Sequence, residues 1–161
     1  MMSSDRSLVF RLAASLVLII FSSLCWIFPA FALTQQLEMN STTGYTIKIT
    51  FSYDEQSLVT VSEHGTGTTN VLNSLTVSFY DPSGAMIASY DNIVDGVGQS
   101  DYLEFNYDPA TQQLLGKIDF GGESTGEMYL KGEIDRELSL IKVEASGEER
   151  AIDRFSVLSN Q

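Results

Sequence analysis

Cysteine, tryptophan and histidine each occur once in this 161-residue chain, as Cys25, Trp26 and His64. A lone cysteine excludes an internal disulfide, so a packed core must hold the fold without a covalent framework. A lone histidine excludes a zinc site of the usual Cys/His type. Basic residues are scarce as well: nine Lys and Arg face 21 Asp and Glu, a net charge of −12. Such a surface repels phosphate backbones and anionic lipid, which excludes nucleic acid as a partner. It suits divalent cations, basic partners or plain solubility.

Long apolar runs are absent except at the start. Arg6 and Arg11 make a basic segment, Leu12 to Phe28 is nearly unbroken apolar sequence, and Ala30-Phe31-Ala32 offers the small residues a signal peptidase reads. Residues 1–32 therefore read as a signal peptide cut after Ala32, with Pro29 breaking the helix where an extended segment is needed. An uncleaved anchor is the alternative, since Leu12 to Ala32 is long enough to span a bilayer. Leu24 before Cys25 is too bulky for a lipoprotein signal. Both readings place the body on the exported side, periplasmic or extracellular, and after cleavage it has no hold on the membrane. Residues 33–161 form one domain of a size that buries roughly two-thirds of its unfolded surface. Without Asp5, Arg6 and Arg11 the body carries 20 acids against 7 bases, and it has neither Cys nor Trp.

What is present is a rhythm. Asp54, Asp81, Asp108 and Asp135 stand 27 residues apart, each closing a strand-like run and followed by a second one. The spacing predicts four β-hairpins sharing one core. Tyr45, Ile47, Ile49, Phe51 and Tyr53 alternate with polar residues, and Leu58 to Ser62 is the expected return. Leu75, Val77 and Phe79 lead into Asp81-Pro82-Ser83-Gly84, with Ala85 to Tyr90 returning. Leu103, Phe105 and Tyr107 lead into Asp108-Pro109, and Leu114 to Phe120 returns; Met128 to Ile134 and Leu138 to Val143 make the fourth pair. Phe155 to Leu158 adds a ninth strand or a short helix. The second unit is one residue out of phase, which calls for a bulge or a flipped face. The expected fold is all-β: a single antiparallel meander of eight or nine strands built from four hairpins. It is a sandwich rather than a closed barrel, because a barrel needs inward alternation on every strand.

The connections differ at the two ends. Four tight turns gather at one, while Glu63 to Asn73, Asp91 to Asp101 and Gly121 to Gly126 make long Gly-rich loops at the other. That rim is the expected contact surface, with His64, Asp95, Asp101 and Glu123 as its candidate binding residues. No cofactor is required. Asp91, Asp95 and Asp101 offer the oxygen chemistry Ca²⁺ takes, but their spacing is not that of an EF-hand.

Three motifs fail on context. Gly122-Glu123-Ser124-Thr125-Gly126 fits a nucleophile pattern, yet it lies between strands and the only histidine precedes it. Glu133-Ile134-Asp135-Arg136-Glu137 resembles the Glu-x-Asp-x-Glu strand of laminarinase-like glycosidases, but Arg136 replaces an apolar residue and no Trp remains to stack on sugar; it reads as a charged turn. Asn40-Ser41-Thr42 is a glycosylation sequon, meaningful only in a host that glycosylates. No catalytic residue is assigned.

Ser74-Leu75-Thr76-Val77-Ser78-Phe79-Tyr80-Asp81-Pro82-Ser83-Gly84 and Leu103-Glu104-Phe105-Asn106-Tyr107-Asp108-Pro109-Ala110-Thr111 resemble segments of uncharacterised exported cyanobacterial proteins, a family often carrying a Pro-Glu-Pro sorting tail. No such tail follows Leu158 in this sequence. The resemblance implies export and brings no activity. The expected function is that of an exported, non-catalytic β domain binding a ligand or protein through its acidic rim. The rival readings are a small-ligand-binding β-barrel and a carbohydrate-active hydrolase.

Overall fold

The computed structural model describes residues 32–54 and 60–155. The signal-peptide segment up to Phe31, the first two residues of the expected return strand Leu58 to Ser62 and the run after Phe155 lie outside the described residues. The strands, in chain order, are β1 (Ala32–Asn40), β2 (Thr46–Asp54), β3 (Val61–His64), β4 (Gly67–Thr68) and β5 (Leu72–Tyr80). Next come β6 (Met86–Val94), β7 (Val97–Gly98), β8 (Glu104–Asp108) and β9 (Gln113–Leu114). The last four are β10 (Lys117–Gly121), β11 (Met128–Glu133), β12 (Glu137–Val143) and β13 (Glu149–Phe155).

They form two antiparallel sheets, which do not close into a barrel. The first runs β1-β2-β5-β6-β7-β4 and the second β13-β12-β11-β10-β8-β3, with β9 paired to β8. Alternation explains the packing. Ile47, Ile49, Phe51 and Tyr53 of β2 face inward beside Leu75, Val77 and Phe79 of β5, and meet Phe105 and Tyr107 of β8 from the other sheet. The Phe51 ring lies edge-on to Phe105 at 5.0 Å and to Tyr107 at 4.7 Å. This aromatic cluster replaces the missing disulfide: truncating such a buried ring costs about 3–5 kcal/mol.

Two expectations hold in detail. The bulging expected of the second unit is present: the β5–β6 register passes from Phe79↔Ala88 to Tyr80↔Met86, and the β2–β5 register from Ser52↔Ser74 to Tyr53↔Leu72. Asn73 is the extra residue, so Leu72 and Leu75 both face the core although three positions apart. The Asp81 turn is built as read: the Asp81 carboxylate accepts from the Ser83 and Ala85 amides at 2.8 and 3.0 Å and from the Ser83 hydroxyl at 2.6 Å. Asp108 does the same for Ala110 and Thr111.

Three expectations are corrected. The hairpin at Asp54 does not form, because both edges of β2 are already taken, by β1 and by β5. The chain crosses instead to the second sheet, where β3 pairs with β8. It is therefore no simple meander: it returns to the first sheet at β4, crosses again between β7 and β8, and only then meanders to its end. The sequence reading also missed β1, whose residues Leu33, Leu37 and Met39 face one side of an edge strand. Finally, the last strand among the described residues is Glu149–Phe155, starting six residues before the run expected. A register shift beside Leu140 leaves Ile152 without a cross-strand partner, which gives Ile152 and Phe155 a three-residue spacing that mimics a helix.

Candidate functional site

The long connections do gather at one end, and hydrogen bonds lock them together. The first loop is organised around Glu63. Alternation from Val61 turns this carboxylate inward, leaving the residue only 2% exposed. There it accepts from the backbone amides of Asn70 (3.0 Å), Val71 (2.7 Å) and Leu72 (3.2 Å). Further bonds join this loop to the second: the Thr69 amide and hydroxyl donate to Gly96 O, the Gly96 amide donates to Asn73 O and the Thr66 hydroxyl donates to Asp101, while the Gly65 amide donates to Leu103 O just beyond it.

The second loop is tied to the third across the gap between the sheets. In the β5–β6 ladder the register passes from Leu75↔Ile93 to Thr76↔Asp91, so Asn92 is a bulge residue with no opposite number. The bulge aims its side chain at β10, where Nδ2 donates to Gly121 O at 2.8 Å and Oδ1 accepts from Gly121 N at 3.1 Å. Nearby, the Tyr90 hydroxyl accepts from the Met128 amide at 3.1 Å, and burial holds its pKa above the usual value.

Between these loops lies a depression of about 440 Å³, lined among others by Tyr90, Asn92, Asp101, Tyr102, Glu123 and Glu127. Tyr102 is 63% exposed beside it. The lining contains four carboxylates (Asp91, Asp101, Glu123 and Glu127) and no Lys or Arg. Its chemistry suits a neutral or cationic group and opposes an anion.

Of the expected binding residues, Asp101 and Glu123 meet in this depression. Asp95 does not; it sits exposed at the tip of the β6–β7 hairpin with φ of 50°. His64 ends β3 on the outer face of the second sheet, opposite Glu104, with Nε2 2.9 Å from the Ser62 hydroxyl. The three calcium candidates do not converge: Asp91 and Asp101 both line the depression but are engaged separately, by the Thr76 and Thr66 hydroxyls, and Asp95 stands apart at its hairpin tip. Among the described residues no three His, Cys, Asp or Glu side chains converge as a metal ligand set. Gly122–Gly126 is a loop between β10 and β11, and Ile134–Arg136 is the turn between β11 and β12, so neither motif has its catalytic context.

A second feature lies on the outer face of the second sheet. His64, Glu104, Asp119 and Lys131 stand in one cross-strand row. Asp119 is 7% exposed, and its Oδ2 is 3.3 Å from the Lys131 ammonium. Glu123 folds back within hydrogen-bonding reach of Asp119. Burial and then the Asp119 charge push its pKa up to about 7, against the pull of Lys131. Asp119 was not legible in the sequence, since alternation between Ile118 and Phe120 marks it only as outward. Glu63 was legible in principle, as a carboxylate in phase with Val61.

No protein-family model matches the chain, and no curated protein or solved structure does either.

Proposed function

We propose that this chain is an exported, non-catalytic binding domain that presents its three-loop rim to a basic protein partner. The observation that carries the reading is the rim depression itself, with four carboxylates, two tyrosines and no basic residue in its lining. Loops from both sheets hold it in shape, so little ordering is needed on binding. Lysine or arginine side chains entering it gain ion pairs with the carboxylates and a face of Tyr102 to lie against. Export rests on the leader and on the resemblance to exported proteins; cutting after Ala32 leaves Leu33 to Asn40 as an intact edge strand on β2.

Two experiments test this. N-terminal sequencing of the exported product should read Leu33 first. Calorimetric titration with a short arginine-rich peptide at about 150 mM salt should give binding that Asp101→Asn and Tyr102→Ala weaken and that Glu148→Gln, away from the rim, does not. Equal loss in all three would reduce the effect to overall charge.

Of the rival readings, the small-ligand barrel lacks its closed sheet, and Phe51, Phe105, Tyr107 and Phe120 occupy the space between the two layers. Hydrolysis draws on one observation, the raised pKa of Glu123 beside Asp119. Glycosidase carboxyl groups, however, stand about 5–9.5 Å apart to admit sugar or water, whereas these two are within hydrogen-bonding reach and Asp119 is also held by Lys131. Release of reducing sugar from a neutral β-glucan, abolished by Glu123→Gln, would favour the hydrolase over the binding domain.

A further inference from the structure

Asp119 presents two unlike oxygens. Oδ2 takes the Lys131 ammonium. Oδ1 is buried and, with every neighbouring carboxylate ionised, has no donor. An oxygen in that position costs about 1–3 kcal/mol, and more when charged, so a native fold supplies it with a partner. The group within reach is the carboxyl of Glu123. Two carboxylates repel; a carboxyl and a carboxylate bond strongly through one proton.

We propose that Asp119 and Glu123 are a proton-sharing carboxyl pair that latches residues 122–127 to the outer face of the second sheet, and that loss of the shared proton releases them. Glu123 is the donor and Asp119 Oδ1 the acceptor. The surroundings favour one proton over none. Facing the pair are Glu104 from β8, with His64 opposite it on β3, Tyr129 and Lys131 from β11, Glu149 from β13 and Glu127 at the far end of the loop. Lys117 and Glu133 line the hollow beside Asp119. Lys131 is the only base bridged to the pair among the described residues, and it balances one negative charge but not two. Tyr129 adds no charge, because burial and then the neighbouring Glu149 carboxylate raise its pKa and keep the hydroxyl protonated.

The remaining ties of the loop do not pass through the pair and survive its deprotonation: backbone bonds run from Gly122 to Met128, Glu127 to Ser124, Gly126 to Val143 and Val143 to Glu127, and the Ser124 amide donates to Glu127 Oε2. The release is therefore local. Glu123 is also part of the rim lining, so the pH of the exported compartment alters one wall of the depression. The latch stands independently of what the rim binds.

The linkage has a definite sign. The pKa of Glu123 in the folded chain, about 7, exceeds its ordinary 4.5. The latch thus contributes fully below 4.5 and is lost as pH rises through about 7.

The test is a carbon-detected NMR titration of the Glu123 and Asp119 carboxyl groups in the 33–161 chain, with amide exchange of residues 122–127 corrected for intrinsic pH dependence. Glu123 should titrate near neutrality, and loop protection should fall about tenfold across that transition. Glu123→Gln, whose amide donates permanently to Asp119, should stay protected throughout; Glu123→Ala should be unprotected throughout. Titration of Glu123 near 4.5 with flat protection in the wild type would overturn the proposal, whatever the variants do.

Discussion

Asn92 and Gly121 bond to each other twice across the seam between the sheets, Nδ2 to O at 2.8 Å and N to Oδ1 at 3.1 Å. A side-chain amide thus stands in for the backbone of a strand that is not there. Asn92→Ala should cost about 2–4 kcal/mol in chemical denaturation, because it orphans a buried N–H and a buried C=O together. Asn92→Asp should cost more at neutral pH, and its deficit should shrink in acid, where a protonated carboxyl can again donate to Gly121 O.

Gly121 is constrained from the other side. Its φ is +133°, and a Cβ there would lie 2.6 Å from both Met128 O and Tyr129 Cα. Gly121→Ala should therefore lose more than about 3 kcal/mol. A loss below about 1 kcal/mol would mean that the seam can shift freely.

The buried Glu63 carboxylate holds three successive amides of the first loop. Glu63→Gln should cost about 3 kcal/mol, since an amide cannot accept with both ends. Hydrogen exchange should rise first at Asn70, Val71 and Leu72.

Asp81 and Asp108 both have lowered pKa values, held down by the side-chain and backbone donors of their own turns. Their contribution is present above the ordinary 3.8 and is lost as pH falls through the lower folded value. Asp81→Ala should be less stable than wild type at pH 7, with the gap closing in strong acid. A gap independent of pH would assign the effect to the chain conformation rather than the carboxylate.

These turns were legible in the sequence because their chemistry is local: Asp-Pro-Ser-Gly specifies its own reversal. Asp54 sits at the same spacing and fails, since its return strand depended on a free edge of β2. Leu33, Leu37 and Met39 carry the period of the strand that fills that edge, but Gln35 interrupts them and the leader adjoins them. The gathering of the long loops was readable from their length, and Asp101 and Glu123 do share one depression there, whereas His64 and Asp95 do not. Asn92 and Asp119 were not, because a bulge and a cross-strand register set their surroundings, and neither is written locally in the chain.

The central claim is that the three loops act as one contact surface for a basic partner. Its most direct test is amide shift mapping of the 33–161 chain during titration with an arginine-rich peptide at about 150 mM salt. Shifts confined to residues 99–102 and 121–127, and abolished by Tyr102→Ala, are the predicted result. Shifts spread evenly over the acidic surface, or none at all, would contradict it.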